Sequence, residues 1–341
     1  MPHTQTHAAR RAFSLAELAV LITTLALLAA FLLLAAAEQR RRSRLAAGLD
    51  NFRFFASGTE SYAADHNDEF WQFTWRKNVS YGPGIPVAPD DMAAMANQAT
   101  MIVRERSDPF VTFVPSWVPG IEHSHLVLLE HLGTELPIPQ VASPEDRLLL
   151  TWQRNFLQQD FAELTIRPTG PGLWRFPYRS SYETGPAFWS RDAATIINGQ
   201  THPAVSQADT VWRFNVPGSQ TSVGPVRRRD ELRFPADKAH MWDGYQRHFG
   251  PQVLHFGYTD ARLPVLMADG SASIRSMSSV NGGFNPAIPH NPTRTFSNYQ
   301  PAFYQPPTRN GTASETVRLH LRYTRWGLRG RDFNGPEVTA P

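Results

Sequence analysis

Arg10-Arg11-Ala12-Phe13-Ser14-Leu15-Ala16-Glu17 leads into an apolar run that reaches Ala37 with Glu17 as its only formal charge. The run holds neither Gly nor Pro. Its 25 residues, Phe13 to Ala37, rise by about 1.5 Å each and are long enough to cross the hydrocarbon core of a bilayer. A carboxylate in the first turn of such a helix is costly, so Glu17 requires a partner.

Two ordinary readings compete for this segment. A secretory signal peptide would use Arg10 and Arg11 as its basic region and Ala35-Ala36-Ala37 as its cleavage site, but an acid at the head of the apolar stretch fits that pattern badly. A plain uncleaved anchor gives no reason for Phe-Ser-Leu-x-Glu directly behind two arginines. The segment resembles the prepilin-type cleavage and methylation motif of type IV pilins and type II secretion pseudopilins. That resemblance implies cleavage between Ala12 and Phe13 by a prepilin peptidase, methylation of the new Phe13 amine, and a role in assembly for Glu17. Ala12 stands where the family usually has Gly. It further implies a single-pass inner-membrane protein whose partners are the peptidase and other pilin or pseudopilin subunits, with a head displayed in the periplasm or outside the cell. In a bundle of apolar helices, Glu17 of one subunit and the Phe13 ammonium of another would offset a burial cost that neither charge bears alone.

Beyond the membrane run, Leu45, Leu49, Phe52, Ala56, Thr59 and Ala63 recur in steps of four and three, the stripe of an amphipathic helix. The expected organisation is therefore a leader at 1–12, one long helix over 13–66 that spans the membrane at 13–37, and a globular head over 67–341. Gly48 and Gly58 each cost a helix about 1 kcal/mol relative to Ala and are the points along it where a bend is possible. Arg40, Arg41, Arg42 and Arg44 outnumber Arg10 and Arg11, so the positive-inside rule taken alone would put the head in the cytoplasm. Prepilin processing needs the opposite topology, and the motif is followed. The fold class expected is α+β, an N-terminal helix packed on an antiparallel β-sheet head.

The chain has no Cys, so core packing rather than a disulfide must hold the head together. Its 9 Trp, 21 Phe and 9 Tyr suffice for a sizeable core, and its 28 Pro and 22 Gly favour long ordered loops. A net charge of only +3 points to no nucleic-acid surface.

Tyr62 to Phe70 reads as a polar turn that ends the helix, with a calcium loop on Asp65, Asn67, Asp68 and Glu69 as the sharper alternative. Ser143-Pro144-Glu145-Asp146 reads as a Ser cap, a Pro at the first helical position and acids in the first turn of a helix running to about Leu157. Leu263 to Ile274 places two short apolar strands around Asp269-Gly270, the signature of a hairpin with positive φ at both central residues. This hairpin, the stretch Phe176 to Tyr182 and the stretch Thr324 to Phe333 resemble segments of planctomycete-type pilin-like heads often grouped as DUF1559. In that pattern a His precedes the hairpin, and His248 and His255 are the available matches. Val280 to Pro307, rich in Asn and Pro, reads as a long exposed loop.

Catalytic patterns are sparse. No P-loop, Rossmann fingerprint or Gly-x-Ser-x-Gly elbow occurs. His123-Ser124-His125 on a strand would put both imidazoles on one face, with His131 nearby, and His255 with Asp269 is the other weak metal candidate. The expectation is a non-enzymatic structural subunit without cofactor. The rival is a membrane-tethered extracellular module that binds polysaccharide or a surface ligand, for which an exposed row of Trp71, Trp75 or Trp117 would be the sign.

Overall fold

A computed structural model describes residues 14–114, 117–157, 164–167, 172–190, 225–283 and 296–338, with the backbone of four short strands between 195 and 215. Ala12 and Phe13 lie outside the described residues, as does the middle of the stretch read as a long loop. The chain divides into two units, 1–46 and 47–341, and helix α1 (Leu15–Asp65, 51 residues) runs through the boundary.

The first unit is the apolar part of α1. Its side chains from Leu15 to Ala37 are all exposed, and by length and composition the helix is able to cross a membrane. The hydroxyls of Thr23 and Thr24 donate back to the carbonyls of Ala19 and Val20, each at 2.8 Å, which satisfies polar groups that an apolar surrounding would otherwise leave unpaired. Glu38, just past the apolar run, is held by Arg41 and Arg42.

In the second unit α1 is unbroken through both glycines, and the glycines face the core rather than bend the helix. The buried stripe is Gly48, Phe52, Phe55, Gly58, Thr59, Tyr62 and Ala63, rotated from the expected one so that Phe55 and Tyr62 replace Leu49 and Ala56. A Cβ at Gly58 would stand 2.5 Å from Cδ2 of Leu132, so the missing side chain is what seats Leu132 against the helix. The helix ends as expected in a polar turn. Asn67 and Asp68 both take left-handed φ, and the Asp68 amide donates to the Ala63 carbonyl at 2.9 Å.

The head carries α2 (Asp91–Arg106), α3 (Pro119–Glu122), α4 (Leu129–Leu132) and α5 (Arg147–Arg154). Its strands are β1 (Tyr182–Thr184), β2 (Thr195–Ile197), β3 (Gln200–His202), β4 (Ser206–Gln207), β5 (Phe214–Asn215), β6 (Ala239–Asp243), β7 (Tyr245–Gln246), β8 (Leu254–His255), β9 (Arg262–Met267), β10 (Ala272–Ser276), β11 (Phe296–Tyr299) and β12 (Glu315–Arg318). The main sheet is antiparallel throughout in the order β1-β6-β9-β10, and the fold class is α+β. Successive strand residues point to opposite faces, and both faces are covered. Tyr182, Met241 and Leu266 join Phe52 and Phe55 of α1 and Met95 and Ala99 of α2 in one core. Trp242, Val265 and Met267 join Phe256, Leu319 and Leu321 in a second. Burial on both sides explains why β9 reads as a continuous apolar run rather than an alternating one. The register steps from Ala239↔Met267 to Met241↔Leu266, which makes His240 a bulge residue.

Several local expectations are corrected. The helix after Ser143 begins three residues later: Asp146 is its cap, accepting the Leu149 amide at 3.1 Å, and Ser143 instead starts the turn that delivers Asp146. His123, Ser124 and His125 lie on no strand, since α3 ends at Glu122 and a 3-10 turn follows over Ser124–Leu128. The stretch read as a loop over 280–307 contains β11, paired with β12. The hairpin is present, but Asp269 does not take positive φ. Gly270 alone does, at +84°, in a three-residue loop closed by Gly270 N to Met267 O at 3.0 Å and Met267 N to Ser271 O at 2.8 Å. A loop of this length needs one left-handed residue rather than two. A Cβ on Gly270 would find space, its nearest neighbour being Ala56 Cβ at 3.8 Å, so the penalty of Gly270→Val is backbone strain. It is expected to be roughly 1–3 kcal/mol, read as a lower thermal midpoint of the full chain in detergent; an unchanged midpoint would refute the assignment.

Candidate functional site

The start of α1 is built by Ser14 and Glu17. The Ser14 hydroxyl accepts the Glu17 amide at 3.2 Å, and the Glu17 carboxylate accepts both the Ser14 amide and the Ser14 hydroxyl at 2.9 Å. This is a reciprocal capping box, which satisfies helix-start donors that lack an intrahelical partner. In the lone chain Glu17 is thus engaged by its own helix start. The Ser-x-x-Glu spacing at Ser14 was the signal for this second use of the acid.

In the head, the sequence candidates do not come together. His123 donates through Nε2 to the Arg175 carbonyl at 3.1 Å and lies edge-on to Trp117, while His125 lies edge-on to Phe55 in the first core. Burial pushes the His123 imidazole well below its ordinary value and the His125 imidazole down to about 3. His131 sits elsewhere, beside Asp65 and Tyr62. His255 belongs to the second core, stacked on Tyr299 at 4.5 Å, with Nδ1 accepting the Gly257 amide at 3.0 Å. Burial pushes it well below its ordinary value too. Asp269, exposed at the hairpin tip, accepts the Ser271 amide at 2.9 Å and its hydroxyl at 2.7 Å, the behaviour of a turn residue. Among the described residues no group of three metal-ligating side chains forms.

The exposed aromatic row that would mark the rival binding-module reading is not built from Trp71, Trp75 and Trp117. Trp71 is in the core and donates to the Thr59 hydroxyl at 2.8 Å, Trp117 is buried, and Trp75 stacks on Tyr81 at 4.0 Å.

What the head does assemble is a set of buried ion pairs that the sequence reading missed. Arg322 grips Glu183 through two parallel bonds of 2.9 Å, with both side chains almost wholly buried. Arg179 donates to Glu122 at 3.0 Å. Arg247 bridges Asp146, at 2.7 Å, and Asp243. Lys238 pairs with Asp332 at 3.2 Å, joining the start of β6 to the C-terminal segment. Burial raises the Asp243 carboxyl to about 6 against the pull of Arg247. At Asp146 burial works in the same direction, but Arg247 and Arg179 outweigh it and hold that carboxyl below its ordinary value. Two of these arginines, Arg179 and Arg247, reach the wall of a cleft of about 260 Å³ beside α5. Apart from Asp243 and Arg247, which are four residues apart, no sequence spacing signals these pairs, because their members lie far apart along the chain. No family model, curated protein or solved structure matches this chain.

Proposed function

We propose that the chain is a pilin- or pseudopilin-like structural subunit, processed by a prepilin peptidase at Ala12–Phe13, held by α1 in the inner membrane and polymerised through that helix. The observation that carries the reading is a lone carboxylate, Glu17, at the start of an unburied apolar helix, the fifth residue past the expected cleavage point and six residues after Arg11. The α+β head with its antiparallel sheet laid on α1 is compatible with such a subunit. The role is mechanical rather than enzymatic: display of the head outside the inner membrane on a helical filament.

The capping box gives the assembly step a physical form. In a single chain the Glu17 carboxylate is satisfied by hydrogen bonds from the Ser14 amide and hydroxyl. An ammonium at Phe13 of a neighbouring subunit would neutralise that charge inside a helical bundle, a larger gain in a low-dielectric surrounding than the serine contacts provide. Glu17→Leu removes a charge that costs a plain anchor insertion energy. Expressed as the only copy, the variant is expected to stay in the membrane and to begin at methylated Phe13 by intact mass, yet to be missing from sheared filaments. An unprocessed N-terminus in the unaltered chain would overturn the processing reading, and normal incorporation of Glu17→Leu would overturn the assembly reading.

A further inference from the structure

Of the 33 Lys and Arg residues in the chain only Lys77 and Lys238 are lysines, and Lys238 is buried. The other buried cations that pair with carboxylates, Arg179, Arg227, Arg247 and Arg322, are all arginines. The difference is chemical: a guanidinium stays protonated, whereas a desolvated amine is a nucleophile. Lys238 and Asp332 are 1% and 2% exposed, and Lys238 Nζ stands 3.2 Å from Oδ2 of Asp332, one bond short of the carboxyl carbon. Lys238 Nζ donates to the Thr324 hydroxyl, and that hydroxyl donates to Asp332 Oδ1. Asp332 Oδ2 accepts the Ala239 amide at 2.9 Å. The backbone behind the carboxylate is fixed, since the amides of Asp332 and Phe333 both donate to the Asp237 carbonyl, at 2.9 and 3.1 Å. Thr324 is buried as well and the ring of Phe188 lies 6.0 Å from Nζ, so amine, hydroxyl and carboxyl meet away from water.

We propose that Lys238 and Asp332 join in an intramolecular isopeptide bond, with Thr324 carrying the protons. One proton passes from the Lys238 ammonium through the Thr324 hydroxyl to Asp332 Oδ1, which leaves a neutral amine beside a neutral carboxylic acid. Nζ then bonds to Cγ, and the negative charge that develops on Oδ2 falls on the Ala239 N–H. A second proton follows the same path from Nζ to Oδ1, the Cγ–Oδ1 bond breaks and one water leaves. An ammonium and a carboxylate thus become one amide and one water, with no oxidant, reductant or co-reactant. The product is favoured because a neutral amide escapes the desolvation cost of a buried ion pair, and a site closed to water protects it from hydrolysis. A chain without Cys thereby gains a covalent tie from its C-terminal segment to the start of β6, an inner strand of the main sheet. The bond lies within the head and does not depend on the assembly reading.

The test is tryptic peptide mapping by mass spectrometry of the full chain purified in detergent. Trypsin does not cut after an acylated lysine, so the expected product is one branched peptide that contains Lys238 and Asp332 and weighs one water less than its two parts. Lys238→Met keeps the length of the side chain without the amine and is expected to abolish that peptide. Thr324→Val is expected to slow joining in freshly synthesised protein by about a hundredfold, the scale of a lost proton carrier, and Thr324→Ser to restore it. Glu17→Leu is expected to leave the branched peptide intact, which separates this result from the assembly reading. Cleavage after Lys238 in the unaltered chain, with only unjoined peptides, overturns the proposal, as does a branched peptide that persists in Lys238→Met. Both readings stand whether or not Thr324→Val folds. Joining by folded Thr324→Val at the unaltered rate overturns the role of the hydroxyl.

Discussion

Lowering the pH from 7 to 5.5 is expected to destabilise the protein by roughly 4 kcal/mol, because its folded state buries several imidazoles in neutral form. His125 and His240 are pushed by burial to about 3, and His123 and His255 well below their ordinary 6.5. A histidine whose folded value is depressed binds its proton more readily in the unfolded chain. Its contribution is therefore complete above about 6.5 and is lost progressively as the pH falls from there towards 3. Each of the four loses on the order of 1 kcal/mol by pH 5.5. Asp243 works the other way: its carboxyl is raised to about 6 by burial, so its contribution is present below about 4 and lost as the pH rises through 6. That carboxyl offsets less than one of the four imidazoles over this window, and Glu122, also raised by burial, acts in the same direction as Asp243. Denaturant midpoints of the full chain in detergent at the two pH values decide the matter. A midpoint that stays constant or rises on acidification would show that the four rings are not held neutral.

Arg322→Met is expected to cost 3–5 kcal/mol, the second large effect, and Glu183→Leu in the same background to recover most of it. The pair is buried, with side chains 1% and 4% exposed and the guanidinium lying over the ring of Phe256, and removing only the arginine leaves a desolvated carboxylate without its partner. Removing both partners leaves apolar groups of similar volume in an apolar surrounding, which is often neutral. The double-mutant cycle should therefore be strongly non-additive. If the two substitutions simply add, the pair carries no coupling and the bidentate geometry is energetically idle.

Some of this molecule was legible along the chain because its causes act within a few residues. The apolar run after Phe13 has helix length and no breaker, and α1 follows directly. Asn67 and Asp68 tolerate left-handed backbone, so the helix stops there. Gly270 closes its hairpin for the same steric reason, although loop length replaced two left-handed residues by one. The reading of α5 went astray by three residues because Ser143 and Asp146 are both competent caps. The choice fell to Asp146, whose carboxylate also meets Arg247 and Ser181. Helix α2 escaped the periodicity argument because it is buried nearly all round in its first three turns and shows no polar stripe.

By itself the sequence determined the long N-terminal helix, the acid at its start, the polar turn that ends it and the position of the hairpin. Each is a property of neighbouring residues and their backbone freedom. Only the tertiary structure decided that Gly48 and Gly58 face the core, that the histidines are core residues in separate places, and that Arg322 finds Glu183 from 139 residues away. It likewise decided that Lys238 meets Thr324 and Asp332 away from water. The reason is physical: helix, turn and cap preferences are short-range, whereas desolvation and charge pairing depend on which distant segments the packed sheet brings into contact.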